Sequence, residues 1–314
     1  MYTDTSKDIQ SITTAQGYHV PVLLDERVSG LDIKPGGIYV DVTFGGGGHS
    51  REIVGRLSSE GRLIAFDRDA DAAANAIGDP RFKLIRNNFR FIHNYSLLES
   101  PEGLDGVLAD LGVSSHQFDT PERGFSFRYS APLDMRMNTR GGITAAEVVN
   151  TYSQEELEKI FRLYGEVDNA RRVAQLIVST REAAAITTTD GLDRAIAPAV
   201  PSFAEHKYLA KVYQALRIEV NREMRSLEKF LEGATKALKP GGRLVVITYH
   251  SLEDRMVKNW IKAGNVEGIL EKDIYGRSRA PLQSIGRKPI LPGEEEISSN
   301  TRARSAKLRI AEKS

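Results

Sequence analysis

Four consecutive glycines at residues 45–48 constrain this chain more than any other feature, because of what flanks them. Residues 37–43 (GIYVDVT) form a short apolar run with the spacing of a buried strand. Residues 49–57 place Ile53, Val54 and Leu57 on one side of a helix. A glycine-rich turn between strand and helix lets the backbone adopt positive φ and approach a ligand closely. A phosphate-binding P-loop would need Lys and then Ser or Thr after its last glycine, and here His49 and Ser50 follow. The dinucleotide fingerprint G-x-G-x-x-G fits loosely, with Gly45, Gly47 and an unmatched third position. Taken alone, the turn suits either a nucleotide-like ligand or a purely structural bend.

The surrounding pattern predicts an α/β fold with a doubly wound, parallel sheet. Residues 62–67 (RLIAFD), 82–86 (FKLIR) and 106–111 (GVLADL) read as three further strands, and the alanine-rich residues 70–77 as a helix. The alternation stops from about residue 117 to 204. There Ser153 and Glu156 form a capping box opening a helix through Leu163, and further helices follow at 169–183 and 189–197. The sheet pattern resumes with one long helix over 208–238, ended by Pro240 and Gly241, and a fifth strand at 243–248. Edge strands are expected near 288–291 and 306–310. This divides the chain into a polar tail (1–17), a sheet domain (18–116 and 205–314) and an inserted helical domain (117–204).

Polar chemistry gathers at the predicted strand ends, where open α/β sheets bind ligands. Asp67 lies 20 positions after Gly47, placed for a ribose diol; Asp67 or Asp69 also suits a helix cap. The third strand leads to Phe89, which suits an adenine face or the core. The fourth ends in Asp110 and continues through Gly112 and Ser114 to Gln117, or is simply a capped tight turn. The fifth ends in His250, Ser251 and Asp254; Ser251 with Asp254 also reads as a helix cap.

Net charge is only +1, which excludes bulk electrostatic coating of nucleic acid but leaves local patches available. Arg123, Arg128, Arg136 and Arg140 form one cluster, and Arg302, Arg304, Lys307 and Arg309 another; a solvated face accounts for either. No apolar run approaches the roughly 20 residues needed to cross a bilayer. The absence of cysteine removes disulfides and thiolate metal sites and is compatible with the cytosol, the expected compartment. No metal-ligand spacing stands out.

Several strings together resemble a known family, the bacterial 16S rRNA cytosine-N4 methyltransferases. They are HVPVLLDE (19–26), TFGGGGHS (43–50), AFDRD (65–69), DLGVSS (110–115), RGFSF (123–127), PLDMRM (132–137), QALRIEVN (214–221), YHSLEDR (249–255) and RARS (302–305). The resemblance runs from about Tyr18 to Glu312. It implies a Rossmann-like class I methyltransferase sheet, S-adenosylmethionine as cofactor, and 16S rRNA of the small ribosomal subunit as partner. Donor-binding positions fall on Gly47, Gly48, His49, Asp67, Phe89, Asp110 and Gln117, and the helical insertion becomes a substrate-recognition domain. One departure concerns N4-cytosine methyltransferases at large: many carry Pro-Pro-aromatic after the acidic residue of the fourth strand, where this chain has Leu111-Gly112-Val113.

A poorly nucleophilic amine must be held in line with the methyl group while its hydrogen bonds are accepted. Asp110, His250, Ser251 and Asp254 are the candidate catalytic residues. Phe125, Phe127 and Tyr129 beside Arg123 and Arg128 either stack bases and contact phosphates or form a buried extended segment. Arg136, Arg217 and Asn221 complete the candidate RNA contacts; Arg217 and Asn221 share a helix face and also suit local pairing. An NAD-dependent oxidoreductase and a non-catalytic ribosome-assembly factor are the competing classes. Monomer and homodimer remain open.

Overall fold

The computed structural model describes residues 21–314, so the expected polar tail at 1–17 lies outside the described residues. The strands are β1 (Ile38–Asp41), β2 (Arg62–Phe66), β3 (Phe82–Ile85), β4 (Leu104–Asp110), β5 (Leu238–Thr248), β6 (Leu282–Ile290) and β7 (Lys307–Lys313). The helices are α1 (Leu24–Gly30), α2 (Gly48–Arg56), α3 (Ile92–Glu99), α4 (Ser115–Asp119), α5 (Ala145–Thr151), α6 (Gln154–Gly165), α7 (Ala170–Ala183), α8 (Thr189–Ile196), α9 (Glu205–Asn221), α10 (Glu223–Ala237), α11 (Ser251–Ala263) and α12 (Glu294–Ser299).

The strands form one seven-stranded sheet in the order β3-β2-β1-β4-β5-β7-β6. The first five in that order run parallel, and β7 is antiparallel to both β5 and β6. Every residue of β1 is buried, as expected for a parallel strand covered on both faces. Alternate side chains serve opposite layers. Ile38 and Val40 join Phe230, Leu231 and Trp260 of α10 and α11, whereas Tyr39 joins Ile53 and Val54 of α2 on the other face. The chain reverses direction across the sheet between β1 and β4, which opens a crevice at their carboxyl ends.

The helices α5 to α8 pack around a core of their own that includes Val148, Phe161, Val173 and Leu192. α9, on the sheet side of the 204/205 division drawn from the sequence, contributes Tyr208, Val212, Tyr213 and Leu216 to that same core.

Four local expectations are corrected. Residues 70–77 hold only a 3-10 turn, Asp71–Asn75, because the short alanine run meets Gly78 and Pro80 before an amphipathic face can develop. The long helix over 208–238 is two helices, broken where Arg222 takes the left-handed conformation (φ 50°, ψ 44°). The strand at 306–310 is internal, since β7 pairs on both sides, and β6 starts at Leu282 rather than near 288. β5 begins at Leu238, with residues 239–242 bulging out of register before Arg243 pairs with Gly106.

Candidate functional site

Leaving β1, the chain must turn within a few residues from the sheet into α2, and Asp41 holds that turn together. It is fully buried and accepts hydrogen bonds from Ser50 Oγ at 2.7 Å and the Thr43 N–H at 3.1 Å. Burial, reinforced by the neighbouring carboxylates of Asp110 and Asp67, pushes its pKa up to about 6. Gly47 caps α2 at φ 76°, and a Cβ there would lie 3.0 Å from the Phe44 ring. A Cβ on Gly48 would come 2.8 Å from Pro21 Cγ. Gly45 (φ 52°) is different: a Cβ there would meet nothing nearer than 4.0 Å, so this side of the turn is open to a ligand.

Asp67 follows β2 and faces the same turn. Its Oδ2 accepts the Gly45 N–H at 2.8 Å and its Oδ1 accepts the Asp69 N–H at 2.8 Å. Each oxygen keeps a second lone pair for a hydroxyl donor. Burial raises the Asp67 pKa above the ordinary carboxylate value despite these bonds.

Asp110 ends β4, and its N–H donates to Thr43 Oγ1 at 2.7 Å, which locks β4 to the glycine turn. Its side chain is held by two residues absent from the sequence-based site. Arg27 Nη1 lies 2.7 Å from Asp110 Oδ2, and the Tyr249 hydroxyl donates to Oδ1 at 2.9 Å. The same guanidinium reaches His49 Nε2 at 2.6 Å and the Tyr249 oxygen at 3.1 Å. Arg27 is completely buried, yet Asp110 and Tyr249 outweigh that burial and hold its pKa above the usual arginine value. Burial first, and Arg27 second, push His49 down to about 3. The imidazole is therefore neutral, with Nε2 accepting from Arg27 and the proton on Nδ1. An arginine among buried apolar residues in and beside a short helix (Leu23, Val28, Leu31) was the available signal for Arg27.

Asp69 is a junction rather than a simple cap. Its Oδ2 accepts Gln117 Nε2 at 2.6 Å and sits 2.9 Å from Arg123 Nη2, while Oδ1 accepts the Asp71 N–H at 3.2 Å. Burial opposes its charge, but Gln117 and Arg123 prevail and lower its pKa. Gln117 also closes a capping box with Ser114 at the start of α4. Phe89 is half-buried, its ring edge-on to Phe230 at 5.4 Å, so one of its faces serves the core.

The six candidate RNA contacts have internal partners. Arg123 is bound to Asp69 and Asp71 and donates to the carbonyls of Arg136 and Met137. Phe125 is core, and Phe127 packs against His206 and Tyr213. Arg136 forks onto Asp134 at 2.7 and 2.9 Å, and Arg217 onto Glu223 at 2.8 Å through both contacts. Asn221 accepts the Met137 N–H at 2.8 Å and donates to the Met135 carbonyl at 2.7 Å. Of these, Asn221 and Phe127 hold the 123–137 segment against α9, Arg123 ties it to the end of β2, and Arg217 ties α9 to α10.

Beyond β5, the expected catalytic group divides. His250 caps α11 and its Nε2 lies 3.1 Å from Glu253 Oε1. Ser251 donates to Glu166 at 2.9 Å, away from the turn. Asp254 is paired with Arg309 at 2.7 Å and Lys307 at 3.3 Å, tying α11 to β7. Ser251 and Asp254 therefore have structural partners and do not join Asp110. Glu223, His250 and Glu253 do offer ligand atoms within 4.8 Å of one another, but the Arg217 guanidinium already supplies the positive charge beside them.

What converges is a glycine cradle open at Gly45, with Asp67 and Asp110 at the ends of the two strands that flank β1. It suits an adenosyl group with a ribose diol and a cationic centre: diol donors meet a carboxylate, the cation meets an acidic crevice, and the glycines permit close approach. No helix among the described residues is long and apolar enough to cross a membrane.

Comparison with known proteins agrees with this geometry. A family model described as the MraW methylase family matches residues 16–314. Proteins named Ribosomal RNA small subunit methyltransferase H are close relatives. That of Phocaeicola vulgatus is 58% identical over 298 residues, covering 95% of this chain and 98% of the relative. Those of Bacteroides fragilis (strain YCH46) and Flavobacterium johnsoniae are 58% and 55% identical, covering 94% and 96% of this chain and 97% and 100% of their own. With the glycine cradle and its carboxylates in place, and identity of this depth along nearly its whole length, the chain belongs to the MraW methylase family.

Proposed function

We propose that the protein transfers a methyl group from S-adenosylmethionine to the N4 amine of a cytidine in the decoding region of 16S rRNA. The observation carrying this reading is the open glycine turn faced by Asp67 and Asp110, with Asp110 fixed by Arg27 and Tyr249. The names of the relatives support the RNA substrate. Gly47, Gly48, His49, Asp67, Phe89, Asp110 and Gln117 are the residues we assign to the donor, Gln117 acting through Asp69. When bound, the donor supplies an electrophilic methyl group on a sulfonium.

The chain's own part is orientation. The cytosine amine is a weak nucleophile because its lone pair is delocalised into the ring. Asp110 keeps a free lone pair on each oxygen, and it accepts an amine N–H as the nitrogen localises its lone pair toward the methyl carbon. Arg27 and Tyr249 prevent the carboxylate from rotating away. Positioning of this kind contributes several kcal/mol, up to roughly 7–11 in ideal cases. With the donor bound, the amine nitrogen would gain the methyl group as the carbon–sulfur bond breaks, leaving the bonding electron pair on sulfur as a neutral thioether. The amine proton would pass to the Asp110 carboxylate and on to solvent. The target base must leave its stack to reach the crevice. We also assign the helical unit built from α5 to α9 to substrate recognition, in the cytoplasm, with the small subunit as the partner.

Two measurements test the proposal. Calorimetric titration should show binding of S-adenosylmethionine and none of NAD. Mass spectrometry of small-subunit rRNA after incubation with donor should then find N4-methylcytidine in the decoding region. Methylation at a carbon or ribose oxygen, or none in free RNA and in subunits, would refute it.

A further inference from the structure

Arg123, Arg136 and Arg217, singled out in the sequence as RNA contacts, are neutralised by carboxylates inside the fold, which raises the question of where unpaired positive charge lies. It gathers one strand away from the cradle. A cavity of about 410 Å³ opens beyond the carboxyl ends of β2 and β3, lined by Arg68, Arg86, Arg90 and Arg140 together with Asn88 and Phe91. That volume lies within the roughly 300–1,000 Å³ typical of ligand pockets. Its lining contains no acidic residue. Among the described residues, none of the four arginines makes an ion pair, in contrast to Arg123, Arg136 and Arg217.

Each arginine arrives by a different local route. Arg68 directly follows Asp67, and its Nη1 donates to the Asn221 carbonyl at 3.3 Å. Burial depresses its pKa, and the nearby carboxylates of Glu223 and Asp67 do not restore it. Arg86 follows β3 and Arg140 follows the segment clamped by Asn221; both are exposed, and neither side chain has a hydrogen-bond partner among the described residues. Arg90 lies over the Phe91 ring at 4.5 Å, which stiffens its guanidinium and leaves its N–H groups free. Cations converging in a concavity focus potential far better than the same charges scattered over a surface, and a net charge of +1 does not oppose this local field.

We propose that this cavity anchors backbone phosphates of the RNA strand flanking the target nucleotide, so that the base itself reaches the crevice at Asp110. The inference rests on the RNA-methylating function proposed above and deepens it. Guanidinium groups match phosphate oxygens in a forked geometry, and phosphate contacts set the register of a nucleic acid without reading its sequence. The shared Asp67–Arg68 backbone couples the position of the anchored strand to the donor site.

The test uses the full chain, small subunits lacking the modification, and a double variant, Arg86→Gln with Arg140→Gln. Both positions are exposed, so the fold does not depend on them. We expect kcat/KM for subunits to fall about tenfold through KM, with the calorimetric Kd for S-adenosylmethionine unchanged. We also expect the slope of log(kcat/KM) against log[KCl] to become shallower by about 1.4, at roughly 0.7 per lost single-strand contact. An active parent whose double variant keeps kcat/KM within about twofold overturns the anchor alone, as does weakened donor binding with KM retained. A parent that methylates no subunit RNA overturns both the anchor and the function beneath it.

Discussion

Replacing Arg27 with methionine removes the centre of the most deeply buried polar network in the crevice while keeping much of the side-chain volume. The guanidinium is wholly buried and holds Asp110 at 2.7 Å, His49 Nε2 at 2.6 Å and the Tyr249 oxygen at 3.1 Å. Breaking a buried ion pair from one side costs about 3–5 kcal/mol. Asp110 retains 24% exposure, so the lower figure applies to its stranded charge. His49 adds about 1–2 kcal/mol, because its buried Nε2 loses its donor. Tyr249 adds little, since its hydroxyl still donates to Asp110. The expected loss is therefore about 4–5 kcal/mol, a large part of the 5–15 kcal/mol typical of a folded domain. Lysine in place of arginine keeps the charge near Asp110 but cannot fork to His49, and should cost about 1–2 kcal/mol. Urea unfolding at pH 7.5 reports this through the fluorescence of Trp260, which is buried and donates to Thr235 at 3.0 Å. Placing Arg27→Met on an Asp110→Asn background should recover about 2 kcal/mol, because the stranded charge is then absent. A loss below about 1 kcal/mol, or equal losses for Met and Lys, would show that the network is not what holds this corner together.

Other perturbations separate the remaining roles. Gly47→Ala forces a Cβ at φ 76° to 3.0 Å from Phe44 and should cost about 1–2 kcal/mol. Gly55→Ala, inside α2 with nothing within 4 Å, should instead stabilise by about 0.5–1 kcal/mol; melting temperatures moving the same way would contradict the contrast. Asp67→Asn should weaken S-adenosylmethionine binding roughly 10–100-fold by calorimetry, as expected for a lost hydrogen bond to a charged group, and an unchanged Kd would remove Asp67 from the donor site. His49 falls from the ordinary 6.5 to about 3, so its contribution to stability is complete above pH 6.5 and is lost as pH falls toward 3. Asp41, raised from 3.8 to about 6, acts oppositely: its contribution is complete below 3.8 and is lost as pH rises through 6. Urea midpoints of His49→Gln and Asp41→Asn across pH 4–8 should flatten these two limbs separately.

The sheet was legible because buried parallel strands write themselves as short apolar runs, and a glycine cluster can hardly follow β1 for any reason other than a turn. The carboxylates Asp67 and Asp110 were legible for the same reason, as the residues at which those runs stop. Arg27 was not, because its importance depends on three partners contributed by α2, β4 and the end of β5. Nor was the break at Arg222, where an ordinary residue takes a left-handed conformation and the apolar spacing continues through it. The alternatives for the arginines stayed open in the sequence because proximity along the chain cannot show whether a guanidinium meets a carboxylate. Asp134 two residues before Arg136, and Glu223 six after Arg217, decide those cases only once the backbone has folded.

The joint at Arg222 also governs how the molecule can move. α9 is buried in the helical core and α10 in the sheet core, with a single left-handed residue between them. Asn221 spans that joint, gripping backbone groups 84 and 86 residues earlier in the chain. Swinging the helical unit as a lid would tear both bonds and the Arg68 contact to the same residue, with only Arg222 between α9 and α10 to absorb the rotation at this joint. The cleft behaves as a fixed mould, and for the RNA substrate proposed above, the cost of adapting shape on docking falls on the nucleic acid.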